Sequence, residues 1–429
     1  MKRGLRSRYP IELDPLVGRL LKGGAGAFIA SIALLMLPTV GAFFLEPSDY
    51  VLWALLATVI TAAMVLDFGG GALVQHAVAA GVVTRKILLR AIALAAFGSL
   101  SVGVPATLLW EPVSSRLLAP TESAPIALIL VSTVGSAMRS AIVVVAAKLL
   151  AERRFRRRAF VLIGQAVSQV LSTVVLLLLD TGLWALPLGL TLSTGPWLIA
   201  CLFEALRNLP YDHPSARYIS TGLFATSRGA SAVISLVMTQ GDRWILALVA
   251  NAELIQAYDL AARFALMPKA VVTTFLVGLV GEGVHLKGAA AGALLNRAIS
   301  IAGRALGVLS ALAVAGAFLV GYLVEGRLSA TYISIALAIV AWSAIHGLTA
   351  PVTLILTGRG RPDLELRYLI PCLVSTFAVW LAGYRLAEPY VLIFGSGLAL
   401  VVWSIYCLVS SARLLTISES PSSTSAGGD

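Results

Sequence analysis

Basic side chains recur within long apolar stretches of this 429-residue chain. A charged group at the centre of a bilayer costs about 2.5–3.5 kcal/mol on insertion scales, so each such residue requires a structural or functional reason. A guanidinium group offers N–H donors in a planar fork that matches phosphate oxygens, and an ammonium group supplies a compact charge. Several such groups around one cavity would bind an anionic ligand. The predicted cationic binding residues are Arg139, Arg228, Arg263 and Lys269.

Three carboxylates lie in the same stretches, at Asp67, Asp242 and Asp259. Arg263 follows Asp259 at the spacing that places two side chains together on a helix, so these two can pair. Asp67 lies in the segment LDFGGG, where it could pair with a buried cation, cap a helix break at Gly69–Gly71, or hold a coupling ion. The three acids are therefore candidates for pairing or for coupling to H⁺ or Na⁺.

Hydroxyl and amide side chains accompany these charges at helical spacing. At about 100° per residue, they fall on single helix faces. Such faces point away from lipid, toward other helices or a wet cavity. We therefore expect a hydrated cavity with an excess of cations. The polar faces comprise Ser132, Ser136 and Arg139; Gln165, Ser168, Gln169 and Ser172; and Arg228, Ser231, Ser235, Thr239 and Asp242.

The elements that must position these residues are membrane helices. The chain is 59% hydrophobic and 12% charged, with a mean hydropathy of +0.91, whereas soluble domains carry roughly twice that share of charge. An apolar helix of about 20 residues crosses a hydrocarbon layer of about 30 Å. We predict an all-α polytopic membrane protein of about twelve spans, at 23–44, 50–74, 88–110, 125–149, 159–179, 183–206, 219–246, 254–280, 299–322, 331–357, 368–386 and 389–415.

Lysine and arginine are concentrated in every second gap between these spans. Because positive residues mark the cytoplasmic side, both termini are predicted to be cytoplasmic. This asymmetry explains the net charge of +11, and no nucleic-acid-binding module is present. The basic gaps contain residues 2–22, 85–90, 153–158, 207–217, 287–297 and 359–367, and Arg413 follows them on the same side. The other gaps contain few cations, at Arg116, Arg327 and Arg385, and Arg243 at the end of the span 219–246 could be counted with them.

The gap around Pro210 and Pro214 divides the chain into two halves. Two parallel six-span halves with a site between them are a common plan of transporters. The predicted organisation is a cytoplasmic segment 1–22, six-helix bundles 23–210 and 211–415, and a disordered cytoplasmic tail 416–429.

Motifs of catalysis and of metal binding are absent from the sequence. It has no Ser/His/Asp arrangement and no HExxH motif, and its three cysteines are far apart in apolar segments. We therefore expect no enzyme, no cofactor and no metal. Gly303 and Gly307 form a GxxxG pair, which predicts a close approach of two helices.

Several motifs resemble those of polysaccharide-biosynthesis flippases of the Wzx type, in the multidrug/oligosaccharidyl-lipid/polysaccharide (MOP) exporter superfamily. They are LEPSDYVLWALL and LDFGGGALVQHAVA between Leu45 and Ala79, QGDRWILALV followed by YDLAARFALMP, and LTGRGRPDLEL. The likeness runs from about Leu20 to Arg413. Val51 departs from the family's pattern, in which Gly is frequent, and Gln75–His76 stand where a basic residue is common.

This resemblance implies two pseudo-symmetric bundles around a V-shaped cavity, as in MATE-like transporters. It also implies export of undecaprenyl-diphosphate-linked oligosaccharide across a bacterial inner membrane, with buried Arg and Lys meeting the diphosphate. The expected partners are the lipid-linked oligosaccharide, the bilayer and other polysaccharide-assembly proteins. One alternative is a MATE-like cation-coupled multidrug antiporter, against which the excess of cations argues. Another is a membrane polysaccharide polymerase or ligase, against which the short outside gaps argue.

Overall fold

A computed structural model describes residues 13–79, 81–117, 125–207, 209–210, 221–283, 288–325 and 329–419. Over these residues every long element is an α-helix. The helices are α1 (Leu13–Phe44), α2 (Pro47–Val65), α3 (Gly70–Ala79), α4 (Arg85–Ser101), α5 (Gly103–Leu117), α6 (Pro125–Ala151), α7 (Phe155–Leu178), α8 (Ala185–Arg207), α9 (Thr221–Leu246), α10 (Ala252–Leu276), α11 (Leu279–Gly283), α12 (Gly288–Glu325), α13 (Ala330–Gly347), α14 (Ala350–Gly358), α15 (Leu366–Leu386) and α16 (Pro389–Glu419).

These helices form twelve spans in the described chain, because α2–α3, α4–α5, α10–α11 and α13–α14 each make one interrupted span. Six spans, α1 to α8, form the first half, and six, α9 to α16, form the second. The predicted all-α architecture of two six-span halves is thereby confirmed.

Helix limits differ from prediction mainly at the ends of the long helices. Helix α1 begins at Leu13, within the predicted segment 1–22, and α16 continues to Glu419. Residues 1–12, the remaining predicted tail 420–429, and most of the predicted junction, 211–220, lie outside the described part.

Eight helical stretches of the described residues are long and apolar enough to cross a bilayer, as expected of a multi-pass membrane protein. Their outer surfaces expose large apolar side chains such as Leu108, Ile199 and Val409. The four remaining spans are α1, α2–α3, α9 and α10–α11. They pack on one another across the two halves, α1 on α10 and α2 on both α9 and α10. One face of each of these spans therefore meets the other half instead of lipid.

The two ends of the bundle differ in how the halves meet. We call the end with the arginine-rich turns 152–154 and 359–361 the basic end, and the end with the turns 45–46, 247–251 and 387–388 the opposite end. At the opposite end one hydrophobic core includes residues of both halves. Toward the basic end each half has a core of its own. The halves therefore share a core at one end and surround a cavity with separate cores at the other, which agrees with the V-shaped cavity that the resemblance implied. At the basic end they still meet, where α3 packs on α11 and Phe28 lies against Phe275.

The close helix approach predicted at Gly303 and Gly307 is wrong for the described residues. A Cβ atom added to Gly307 would have nothing within 4 Å, and one at Gly303 would make only an ordinary contact with Leu348. Tight approaches occur at other glycines. A Cβ at Gly229 of α9 would lie 2.0 Å from the ring of Phe68, which belongs to the other half. Close approaches therefore occur between the halves and also within them, as at Gly321 of α12, where a Cβ atom would lie 2.5 Å from the Tyr332 ring, but not at Gly303 or Gly307.

Candidate functional site

A cavity of about 330 Å³ lies between the two halves, toward the basic end. The first half contributes α1, the α2–α3 break, α6 and α7, and the second half contributes α9, α10, α11 and α14. The volume is within the range of small-molecule sites, about 300–1,000 Å³. Its polar lining residues are Asp67, Gln75, Arg158, Arg228, Thr273, Thr274 and Thr357.

Asp67 is positioned by the interruption between α2 and α3. Phe68 and Gly69 have φ values of 47° and 74°, so the chain cannot continue as a helix there. One Asp67 carboxylate oxygen accepts a hydrogen bond from the backbone N–H of Gly69 at 2.8 Å, and the other accepts one from Gly71 at 3.4 Å. The structure thus confirms the interpretation of Asp67 as a cap of a helix break. Its role in ion coupling stays a prediction.

Arg228 faces the same cavity from α9, and its side chain is 30% exposed. Its Nη1 donates to Glu365 Oε2 at 2.8 Å. Glu365 lies in the 3-10 turn Pro362–Glu365, which packs on α9. Arg228 has no acidic neighbour in the sequence. Its pairing with Glu365 was not predicted, because no local sequence pattern indicates it. The ion pair fixes the guanidinium at the cavity wall while leaving part of it accessible.

Arg158 is a cavity residue that sequence reasoning missed. It belongs to the run 153–158, which was interpreted as an orientation signal. The structure separates that run, because Arg154 and Arg157 pair with Glu204 on the surface, whereas Arg158 is only 7% exposed and lines the cavity. Helical periodicity could have found it, since Arg158 shares the buried face of α7 with Gln165 and Gln169.

Arg139 lies in a separate, smaller cavity of about 120 Å³ within the first half. Its Nη1 donates to Gln169 Oε1 at 2.7 Å. Arg139 of α6 and Gln169 of α7 therefore meet within the first half. Other residues of the two predicted faces bond elsewhere, Ser136 to Ile60 O of α2 and Ser168 to Trp197 of α8, and none of these residues lines the cavity between the halves.

Arg263 lies far from that cavity, in a buried group near the opposite end. We call Tyr50, Asp242, Arg243, Tyr258, Asp259 and Arg263 the interhalf cluster. Asp259, which is fully buried, accepts from Arg243 Nε at 2.7 Å and from Arg263 Nε at 2.6 Å. The pairing of Arg263 with Asp259 was one of the predicted possibilities. Arg243 lies near the outer end of the predicted span 219–246, and the structure buries it at the centre of the cluster.

The interhalf cluster connects the two halves directly. The hydroxyl of Tyr50, on α2, donates to Asp259 Oδ2 at 3.0 Å, and Tyr258 donates to Asp242. A second contact runs in parallel, where Trp244 Nε1 donates to Thr58 Oγ1 at 2.9 Å. Asp242 and Asp259 therefore have structural partners, and their predicted role in ion coupling is untested.

Lys269 lies on α10 inside the second half, within electrostatic range of Glu365 and His346. It does not line the cavity between the halves. Of the four predicted cations, Arg228 alone faces that cavity in the described residues, and Arg158 joins it there. Arg139, Arg263 and Lys269 occupy three other places, so the structure does not bring the predicted set together.

No protein-family model matches the chain, and no curated protein matches it by sequence. Solved structures do match it. A mutant of the MATE transporter VcmN from Vibrio cholerae has 13% identity and a TM-score of 0.67, over 94% of this chain and 98% of that one. A MOP-superfamily transporter from Pyrococcus furiosus, described as having a binding pocket of reverse polarity that suggests a different function, has 15% identity and a TM-score of 0.66, over 94% and 97%. A MATE structure in a bent conformation has 15% identity and a TM-score of 0.60, over 94% and 97%. The chain therefore has the fold of MATE and MOP-superfamily transporters.

Proposed function

We propose that the protein is a membrane transporter that works by alternating access. The observation that carries this proposal is the arrangement of its cores. The halves share one core at the opposite end and have separate cores around an open cavity at the basic end. Rocking of one half against the other would close the basic end and open the opposite end around a fixed site. The fold shared with MATE and MOP-superfamily transporters supports this mechanism.

We further propose that the substrate is an undecaprenyl-diphosphate-linked oligosaccharide. Arg158 and Arg228 approach the cavity from different halves, and their guanidinium groups suit diphosphate oxygens. The sugar is too polar for hydrocarbon and would pass through the cavity, while the polyprenyl tail would stay in lipid. The basic end is then cytoplasmic, as are both termini, and the membrane is the bacterial inner membrane.

A second candidate is a MATE-like antiporter coupled to H⁺ or Na⁺, and Asp67 favours it. This carboxylate lines the cavity, where a cationic drug or a coupling ion would find a counter-charge. The two candidates require opposite charges of the substrate. The P. furiosus neighbour is described as having a pocket of reverse polarity, so pocket charge varies within this fold.

Transport by purified protein in liposomes tests the proposal. Lipid-linked oligosaccharide is placed in both leaflets, and the share accessible to an added glycosidase is followed with time. Arg158→Gln and Arg228→Gln should each slow transfer about tenfold or more, because each removes a charge-assisted hydrogen bond of about 1.5–3 kcal/mol. Arg304→Gln is the matched control, since Arg304 is exposed on α12.

The outcomes separate the two candidates. Oligosaccharide transfer that depends on Arg158 and Arg228 supports the flippase. Absence of oligosaccharide transfer, with efflux of a cationic dye that Asp67→Asn abolishes, would replace it with the antiporter. Absence of both activities in folded protein would reject alternating-access transport of either class.

A further inference from the structure

Arg139 occupies a chamber of its own within the first half, about 120 Å³ in volume. It is far larger than the roughly 10–15 Å³ that one water needs, and smaller than the roughly 300 Å³ at which small-molecule sites begin. Ala27, Val143 and Leu162 line both this chamber and the cavity between the halves, so the two spaces adjoin. The chamber lining is Ala27, Ala30, Ser31, Leu34, Arg139, Ile142, Val143, Leu162 and Gln165.

Around Arg139 there are more N–H donors than acceptors. Arg139 Nη1 donates to Gln169 Oε1 at 2.7 Å, and Gln165 Nε2 donates to the same oxygen at 3.4 Å. Gln165 also donates to Thr194 Oγ1 at 3.3 Å. Arginine has several N–H donors in a fork, and only Nη1 of Arg139 has a hydrogen-bond partner within the described residues.

The positive charge of Arg139 has no carboxylate beside it in the described part of the chain. None of the chamber's lining residues is acidic, and the nearby partner, Gln169, is neutral. Three other cations inside the described part of the bundle do have one. Lys148 pairs with Glu152 at 2.8 Å, Arg228 with Glu365 at 2.8 Å, and Arg243 with Asp259 at 2.7 Å. Arg139 is partly exposed to its chamber, so water or an anion can solvate its charge there, and an anion does so with the larger electrostatic gain.

We infer that this chamber is a binding site for a single small anionic group, held by the Arg139 guanidinium beside the cavity between the halves. The chamber is too small for a sugar diphosphate, so the group is a halide-sized ion or one carboxylate. Two sources fit this chemistry. One is free chloride, and the other is the carboxylate of an acidic sugar that enters from the adjoining cavity.

Thermal unfolding of the full-length protein in detergent tests this site without any transport substrate, so its failure is distinguishable from failure of the transport proposal. Sodium chloride, sodium bromide or sodium glucuronate is titrated into sodium HEPES, whose anion is too bulky for the chamber, at constant ionic strength. The unfolding midpoint should rise in a saturable manner for wild type and for Arg304→Gln, and remain flat for Arg139→Gln. Stabilisation by the halides identifies a free ion, and stabilisation by glucuronate alone identifies a sugar carboxylate.

A second variant keeps the test decisive if Arg139→Gln does not fold. Arg139→Lys retains the charge but loses the fork, and should weaken the apparent affinity about tenfold, as expected for one lost charge-assisted hydrogen bond. The inference is overturned if none of the three anions stabilises the wild type, or if the concentration dependence is the same in wild type and in the Arg139 variants.

Discussion

The two ends of the bundle use different physical means to bring the same two halves together. At the opposite end, fully buried Asp259 connects two arginines and Tyr50 within a shared apolar core. At the basic end the halves have separate cores, and the space between them is lined by Arg158, Arg228 and Asp67. One end is therefore closed by buried ion pairs, and the other surrounds a cavity that charged side chains line.

This difference indicates which contacts the proposed alternating-access mechanism would have to break. A buried ion pair is stable only while its partners stay together and dry. Separation of the halves at the opposite end would expose Asp259, Arg243 and Arg263 to water, which solvates them again and lowers the penalty. The interhalf cluster can thus hold one end closed without making its opening impossible.

The largest expected effect comes from Asp259→Asn. Arg243 and Arg263 would keep their charges in a buried site and lose their common partner. Removal of one member of a buried ion pair costs about 3–5 kcal/mol, so the unfolding midpoint in detergent should fall strongly. A midpoint within error of wild type would mean that water already reaches this cluster.

A smaller effect is expected from Tyr50→Phe, which removes the hydrogen bond from α2 to Asp259 and little else. The loss of a hydrogen bond to a charged group is about 1.5–3 kcal/mol. Since that bond joins the halves, the population open at the opposite end should rise, measured by spin-label distances between Glu46→Cys and Glu388→Cys.

Tyr332→Phe is the matched control for this prediction. Tyr332 is also fully buried, but its hydroxyl donates to Ala317 O within the second half. The Tyr332→Phe variant should have a lower unfolding midpoint and unchanged distances between the spin labels. Equal distance changes in the two variants would show that Tyr50 has no special part in joining the halves.

Near the cavity, Gly229 of α9 packs directly against Phe68 of the other half. The substitution Gly229→Ala tests how closely the halves fit there. The added methyl would meet the Phe68 ring at 2.0 Å, so the ring, α9 or the α2–α3 break must shift. Overpacking of this kind costs about 1–3 kcal/mol. In contrast, Gly307→Ala has open space and should be neutral or stabilising by up to about 1 kcal/mol through helix propensity. Unfolding midpoints of the two variants provide the comparison.

The smallest expected effect is that of Glu204→Gln. Glu204 resembles Asp259 in having two arginine partners, Arg154 and Arg157, but its side chain is 46% exposed. Surface ion pairs contribute about 0–1 kcal/mol, so the unfolding midpoint should hardly change. An effect as large as that of Asp259→Asn would mean that burial is not what distinguishes the two sites.

Sequence periodicity predicted the spans and the local part of the site. The helix-break cap at Asp67 and the pairing of Arg263 with Asp259 follow from residues close in sequence. Long-range partners were not predictable in this way. Glu365 pairs with Arg228 across 137 positions, and Tyr50 with Asp259 across 209, and no local pattern encodes such pairs. The prediction of one shared cationic cavity was wrong for the same reason. The depth of a residue in the membrane does not show which neighbouring helix its side chain will contact.

Paired distances at both ends of the bundle test alternating access most directly. One spin-label pair is placed at Glu46 and Glu388, exposed at the opposite end, and a second at Arg156 and Arg367, exposed at the basic end on different halves. On addition of lipid-linked oligosaccharide, or of a cationic drug with an ion gradient, we expect the first distance to lengthen while the second shortens in the same sample. Distances that stay fixed, or that change together in one direction, would contradict alternation between the open and the paired end.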